Sequence, residues 1–154
     1  MSNLITPDSL DALIAEGAQV RLIDVRWRLD QPDGHADYLQ AHIPGAVYVD
    51  LDTELAQHGA AAEGRHPLPS HATLQAAARR WGVNDGDIVV AYDDAGSVAA
   101  ARAWWLLRRT GVDVRVLDGG PGFWTASGRP VQSGEGAMPE GDVTLVESLV
   151  GELS

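Results

Sequence analysis

The sequence contains neither cysteine nor lysine, and each absence excludes a class of chemistry. Without cysteine the chain forms no disulfide, iron–sulfur cluster or zinc finger, and it has no thiolate nucleophile. Without lysine it has no Schiff base and no phosphate-binding loop of the Walker type. All 11 basic residues are arginine. The reactive groups that remain are carboxylates, imidazoles, hydroxyls and guanidinium groups.

Positive charge and long apolar runs are also scarce. The 154 residues include 22 acidic and 11 basic side chains, which gives a formal net charge of -11. This charge repels a phosphate backbone or an anionic lipid surface, so we expect neither nucleic acid nor a membrane as partner. No apolar run approaches the ~18 residues that span a bilayer, and the first residues do not resemble a signal peptide. We therefore expect a cytoplasmic protein.

What the sequence does contain is an alternation of apolar, β-branched segments with helical patterns. The length suits one domain. Thr6, Pro7 and Asp8 are typical of a helix start, and Gly17 is typical of its end. Alternating strands and helices predict an α/β fold with a mainly parallel central sheet between layers of helices. We predict strands at 20–25, 46–49, 87–92 and 114–117, helices at 35–41, 70–81 and 98–109, loop-like chain from 127, and a weak last element at 143–153.

Parallel sheets bind ligands beyond the carboxyl ends of their strands, which here predicts a site near residues 24–27, 93–97 and 118–120, and above all at Asp93. This residue follows the clearest strand and precedes the predicted helix that begins at Val98. The first N–H groups of a helix attract an anion, so a nucleophile would sit at this position. An acidic turn that caps the helix is the plainer alternative. An aspartate nucleophile is a remote one, because that chemistry normally also needs a lysine.

Six short motifs, in order along the chain, resemble the rhodanese family. They lie at 22–27 (Leu-Ile-Asp-Val-Arg-Trp), 42–46 (His-Ile-Pro-Gly-Ala), 64–69, 92–93, 101–108 and 117–120, followed by Trp124. The resemblance extends over roughly residues 4 to 132, and the motifs are most similar to the N-terminal half of two-domain thiosulfate or 3-mercaptopyruvate sulfurtransferases. The resemblance implies a rhodanese-like three-layer fold. It also implies a domain over 1–135, with 136–154 as a tail or the start of an interdomain linker.

In that family a cysteine directly after the strand carries the transferred sulfur, and here the matching residue is Asp93. A carboxylate forms no persulfide. The resemblance therefore implies a domain that is inactive alone and that completes a cleft for a Cys-bearing second rhodanese domain, on the same or a separate chain. The only small ligand it implies is an anionic sulfur donor. A stand-alone, catalytically silent binding or regulatory module remains the alternative.

The resemblance also implies roles for other residues. It maps a proton relay with a hydroxyl of the second domain onto Asp24 and His42, whereas a purely structural role for both is equally open. Arg65 and His66 either reach an anion in the cleft or belong to a surface loop. Arg102 near the helix start either contributes to the site or pairs with Asp93 or Asp94. The remaining candidates for binding, Asp94, Gly96 and Ser97, belong to the loop after the strand.

We expect neither a metal nor a cofactor. His58, His66 and His71 lie near one another in sequence, but their spacings of eight and five match no standard zinc site. The glycines at 119–122 lack the pattern and the following helix of a dinucleotide-binding loop.

Overall fold

The computed structural model describes residues 4–26, 35–49, 71–93, 98–118, 124–134 and 139–145. Strands and helices alternate along these parts of the chain, as the sequence predicts. The strands are β1 (Leu4–Ile5), β2 (Val20–Asp24), β3 (Val47–Tyr48), β4 (Ile88–Tyr92) and β5 (Asp113–Leu117). The helices are α1 (Pro7–Ala15), α2 (His35–Gln40), α3 (His71–Arg80) and α4 (Val98–Arg109).

The described strands form one sheet in the order β1-β5-β4-β2-β3, and every pair is parallel. This confirms the predicted α/β fold. From β2 the chain first adds β3 on one side and then crosses to add β4 on the other. The chain therefore leaves the carboxyl end of β2 in one direction and the carboxyl end of β4 in the opposite direction. A crevice opens between these two strand ends. The residues that follow these two strands are thus the first place to look for a site.

The sheet gains an edge strand that the sequence analysis missed. Leu4 and Ile5 pair with Val116 and Leu117 of β5, and the amide of Asp118 donates to the Ile5 carbonyl over 2.8 Å. Two residues are too few to produce a recognisable alternation, and their partner lies more than 100 positions away in the sequence. Only the tertiary fold identifies them as a strand.

Helices cover both faces of the sheet, because successive strand side chains point to opposite sides. Leu22 packs in a core with Leu10 of α1 and Tyr38 of α2. The next residue, Ile23, packs in a second core with Leu74 of α3 and Leu106 of α4. The three layers expected from the resemblance are therefore present in the described residues.

Helix α1 begins and ends where its sequence predicts. The Thr6 hydroxyl accepts a hydrogen bond from the Ser9 amide over 3.1 Å, which satisfies one of the unpaired first-turn N–H groups. Pro7 follows at the first helical position. After the helix, Gly17 adopts a φ of 86°, a backbone conformation that residues with a Cβ rarely adopt.

The segment 139–145 has the loop-like backbone that the sequence predicts, yet it packs against the core. The weak last element predicted at 143–153 is absent at 143–145, and the rest of that range lies outside the described residues. Val143 and Leu145 are 4% and 3% exposed and join the core beneath α3 and α4. The Gly141 amide donates to the Arg79 carbonyl, and the Val143 amide donates to the Val83 carbonyl. Because 139–145 contains no helix or strand, these hydrogen bonds to neighbouring backbone take the place of the regular hydrogen bonds between paired strands. Where the domain ends stays a prediction.

Gly141 is the point at which this segment approaches the rest of the chain most closely. A Cβ on Gly141 would lie 1.9 Å from the Val83 carbonyl oxygen. We expect Gly141→Ala to displace the segment and to lower the free energy of unfolding by about 2 to 4 kcal/mol, through lost burial of Val143 and Leu145. Urea denaturation measures the loss, and hydrogen exchange at the Val143 amide locates it.

Gly128→Ala is the matched control for this prediction. Gly128 has a φ of 82° but open space around its missing Cβ. Its substitution therefore tests backbone strain alone, which costs about 1 kcal/mol. Equal losses for the two variants would contradict the role assigned to the Gly141 contact.

Candidate functional site

A row of polar side chains lies at the carboxyl end of β2 and β4. In the parallel register Asp24 is opposite Tyr92 on one side and Tyr48 on the other. Residues opposite each other in a sheet point to the same face. The loop that contains His42 packs over this face, since Ile43 and Ala46 belong to the same core as Tyr92. The sheet register thus brings the two motifs at 22–27 and 42–46 together.

Asp24 is fully buried and holds a guanidinium group two residues further along the chain. Arg26 Nε lies 3.1 Å from Asp24 Oδ1 and 3.0 Å from Oδ2, and the Arg26 amide also donates to Oδ1 over 3.2 Å. Arg26 itself is 8% exposed. A buried charge survives only when it is paired and hydrogen-bonded, and each member of this pair satisfies the other.

The Tyr92 hydroxyl is the second group bound to Asp24. Its side chain hydrogen-bonds to the Asp24 carboxylate, and the Ile43 amide donates to the Tyr92 oxygen over 3.1 Å. A phenol has one proton, and a carboxylate only accepts. Tyr92 therefore accepts from Ile43 and donates to Asp24.

His42 is 1% exposed and is held on nearly every side. Its amide and carbonyl both pair with Gln132, each over 2.8 Å. Its ring stacks on Tyr38 with the centroids 4.0 Å apart and the planes 10° apart, and Nδ1 lies 2.9 Å from the Tyr38 carbonyl oxygen. Since a carbonyl only accepts, Nδ1 carries the proton. Nε2 is then a bare acceptor in the neutral ring, and it is buried with no partner among the described residues.

Asp24 and His42 lie in one cluster, but within the described part of the chain no hydrogen bond joins the two side chains. Asp24 binds Arg26 and Tyr92, whereas the His42 ring binds Tyr38. A relay through these residues stays a prediction. The geometry instead gives His42 a fixed orientation and one unoccupied nitrogen, which suits proton transfer with a group supplied from elsewhere.

Burial changes the acidity of both acidic groups in this cluster. It raises the pKa of Asp24 from 3.8 to about 6, against the opposing effects of the Arg26 charge and of the hydrogen bonds from Tyr92 and Arg26. Asp24 is therefore mostly ionised at neutral pH. Burial, together with the Asp24 charge, raises the pKa of the Tyr92 hydroxyl well above its usual range, which keeps the phenol protonated.

Asp93 lies at the helix start that the sequence predicts. It is 4% exposed, and its Oδ2 accepts a hydrogen bond from the Ala100 amide in the first turn of α4 over 2.7 Å. The positive end of a helix stabilises such a carboxylate. The anion-binding position at this helix is thus filled by the chain's own side chain.

The other predicted binding residues are only partly covered by the described chain. Arg102 lies in the second turn of α4, where partial burial lowers its pKa, and its pairing with Asp93 or Asp94 stays a prediction. Five predicted residues lie outside the described residues: Arg65, His66, Asp94, Gly96 and Ser97.

The three histidines considered for a metal are divided in the same way. His58 and His66 lie outside the described residues, and His71 Nε2 lies 2.9 Å from the Leu145 carbonyl oxygen. Within the described chain, no three side chains of the metal-binding types come together.

Comparison with known proteins identifies the fold family. A family model described as a rhodanese-like domain matches residues 6–127. The chain belongs to the rhodanese family. Its rhodanese-like domain is 49% identical over 144 residues to SseB of Mycobacterium tuberculosis, whose name refers to thiosulfate sulfurtransferase; the match covers 93% of this chain and 51% of SseB. It is 35% identical to the 3-mercaptopyruvate sulfurtransferase of Escherichia coli, over 80% of this chain and 44% of that enzyme.

Solved structures agree with this assignment. The 3-mercaptopyruvate sulfurtransferase from Leishmania major superposes with a TM-score of 0.83 at 27% identity, over 96% of this chain and 41% of that one. SseA from Escherichia coli gives 0.81 at 30% identity, over 96% of this chain and 56% of that one. The chain therefore spans about half the length of the sulfurtransferases it matches. Among its described helices, none is long and apolar enough to cross a membrane.

Four residues of this cluster received no role from the sequence: Arg26, Tyr38, Tyr92 and Gln132. Two of them leave a signal in the sequence. Arg26 follows Asp24 in an Asp-Val-Arg tripeptide at a strand end, and Tyr92 is the polar last residue of an otherwise apolar strand. Tyr38 reaches His42 through its carbonyl, and Gln132 pairs with His42 over 90 positions. No sequence pattern reveals contacts of those kinds.

The raised pKa of Asp24 predicts how stability depends on pH. Because the folded-state pKa of about 6 exceeds the ordinary 3.8, the folded chain binds more protons than the unfolded chain between these values. The Asp24 contribution is therefore most favourable below pH 4, and it falls by about 3 kcal/mol as the pH rises through this window. Carboxyl-carbon NMR titration, with Asp24→Asn to assign the signal, measures the midpoint. A midpoint at or below 4 would contradict the burial argument.

Proposed function

We propose that this rhodanese-like domain is the N-terminal, non-catalytic half of a two-domain sulfurtransferase that uses thiosulfate or 3-mercaptopyruvate. A Cys-bearing second rhodanese domain, on the same or a separate chain, supplies the sulfur-carrying group. The observation that carries the proposal is the residue at the end of β4. Asp93 occupies the strand-to-helix position of the family's cysteine, and its carboxylate is bound to the Ala100 amide.

The chemistry of this position supports an inactive half. Sulfur transfer in the family proceeds through a cysteine persulfide, and this chain has no cysteine. A carboxylate at a buried helix N-terminus also opposes entry of an anionic sulfur donor, because like charges repel strongly where water is excluded. Half-length coverage of the named sulfurtransferases fits a chain that works beside another domain.

The role of the domain in such an enzyme is carried by His42. A buried acceptor without a partner costs free energy and needs an explanation, of which a catalytic role is one. We assign to Nε2 of His42 the role of a proton acceptor. The proton comes from a hydroxyl of the second domain or from the bound sulfur donor. Asp24 and His42 then act from one cluster, as the resemblance implies, although no direct hydrogen bond joins these two described side chains.

A catalytically silent module that acts without a second domain is the competing function. It shares the fold and the Asp93 substitution but assigns no role to the unpartnered nitrogen of His42. A cytoplasmic location, the lack of a metal or cofactor, and the lack of nucleic-acid and membrane partners stay predictions under either function.

The first test is turnover by the chain alone. We expect no transfer of sulfur from thiosulfate to cyanide, or from 3-mercaptopyruvate to a thiol, above the rate without protein, because there is no group to form the persulfide. A full-length relative such as the Escherichia coli 3-mercaptopyruvate sulfurtransferase is the positive control. Turnover that follows the pure chain through several purification steps would contradict the proposal.

A second test asks whether position 93 lies in a preserved cradle for an anionic nucleophile. Each single-cysteine variant carries one thiol, since the chain has none of its own. We expect Asp93→Cys to have a thiol pKa about 1 to 2 units below the usual 8.5, because the first turn of α4 stabilises a thiolate. The rate of reaction with iodoacetamide as a function of pH measures this value.

The matched control is Ala101→Cys, on the exposed face of the same helix. Its thiol would face water, which screens the charge of the helix start, so it should titrate near the usual value. A thiol at position 93 that titrates at or above the thiol at position 101 would contradict the cradle.

A further inference from the structure

Two side chains bound to Asp24 also bind the backbone on either side of His42. Arg26 Nη2 donates to the carbonyl of Ala41 over 2.5 Å, and the Tyr92 hydroxyl accepts from the amide of Ile43 over 3.1 Å. Arg26 therefore holds the peptide group that joins Ala41 to His42, and Tyr92 holds the amide of Ile43, the residue after His42. Both holding groups end on one carboxylate.

The remaining contacts of His42 leave little freedom for its ring. The Gln132 backbone pairs with the amide and carbonyl of His42. The Gln132 side chain accepts a hydrogen bond from the Gly45 amide through Oε1 over 3.2 Å. The Tyr38 ring lies against the imidazole, while the Tyr38 hydroxyl donates to the Ala46 carbonyl over 2.6 Å. The hydrogen bond between His42 Nδ1 and the Tyr38 carbonyl forms only while the backbone at 41–43 stays where these contacts hold it. The ring tautomer thus depends on where the backbone is held.

We propose that Asp24 positions His42 indirectly: its carboxylate fixes Arg26 and Tyr92, which clamp the backbone at Ala41 and Ile43. Asp24 is then a positioning residue, and so are Arg26 and Tyr92. The purpose of the clamp, which is to keep Nε2 of His42 available as an acceptor, rests on the proposed function. The clamp itself is a property of the isolated chain and is tested there.

The geometry favours this role over a direct contact between Asp24 and His42. Three donors already bind the Asp24 carboxylate: the Nε–H of Arg26, which is shared between the two oxygens, the Arg26 amide and the Tyr92 hydroxyl. Nδ1 of His42, the nitrogen that a carboxylate would orient, is already taken by the Tyr38 carbonyl. A direct contact would require breaking bonds on both sides.

The first experiment needs no substitution. In the unmodified chain the clamp requires that the Ile43 amide exchange slowly with solvent and that nitrogen NMR show His42 with its proton on Nδ1. An Ile43 amide that exchanges as fast as an unprotected one, or a proton on Nε2, would overturn the proposal without any variant having to fold.

The second experiment removes one oxygen atom. Tyr92→Phe keeps the ring in the core but deletes the hydroxyl that joins Asp24 to Ile43. We expect exchange of the Ile43 amide to rise by about tenfold and the Nδ1–H form of His42 to lose population to the Nε2–H form. Asp24→Asn should shift the same two signals, because it weakens both arms of the clamp.

A second Asp-Val-Arg tripeptide provides the matched control. Asp113 and Arg115 form the same pair at the same spacing, but Asp113 is 47% exposed and Arg115 Nη2 is 3.3 Å from its carboxylate. Asp113→Asn should leave both His42 signals unchanged. If Tyr92→Phe and Asp24→Asn also leave them unchanged, Gln132 and Tyr38 alone hold His42, and the clamp is wrong.

The two proposals fail in different ways. If the NMR signals of His42 shift as expected but a sulfurtransferase that carries these variants keeps its full turnover, the clamp stands and the assigned role of His42 is wrong. If the signals do not shift, the clamp is wrong whatever the turnover. A fall in kcat without a change in KM for the donor, together with the spectral shift, supports both.

Discussion

The burial of Asp24 beside Arg26 is the constraint on which the site depends. A carboxylate with no exposure to water is tolerable only because Arg26 and Tyr92 supply donors to it. Removing one member of such a pair typically costs about 3 to 5 kcal/mol, since the other charge is left buried and unpaired. The backbone around His42 is attached to the same two donors, so the stability of the pair and the geometry of the imidazole are physically linked.

The two halves of the crevice have different chemical characters. On the β2 side, a network of donors and acceptors fixes His42 and leaves its Nε2 without a partner among the residues that the structure describes. On the β4 side, the anion position at the start of α4 is filled by Asp93. One side thus holds an oriented imidazole, while the other presents a carboxylate in a chain that has no cysteine. This asymmetry is what a domain would have if it assists chemistry that takes place on a partner.

Much of the fold follows from short-range patterns, and most of the site does not. The apolar run at 88–92 and the cap at Thr6 predict their elements because both act within a few residues. The site arises from register and from loops that meet across the fold. Asp24 meets Tyr92 because their strands are neighbours, and His42 meets Gln132 across 90 residues. The position of Asp24 at a strand end and the family resemblance both identify that residue, whereas only the resemblance identifies His42, and neither suggests an indirect link between them.

The central claim is that this domain lacks the sulfur carrier but contributes His42 to an enzyme completed by a second domain. A chimera in which this chain replaces the matching half of SseB tests it most directly, with turnover of thiosulfate measured beside a His42→Gln variant. Glutamine keeps a polar side chain but cannot exchange a proton near neutral pH. We predict that the chimera turns over and that His42→Gln lowers kcat by about 100-fold or more. Equal turnover by the two chimeras would contradict the account.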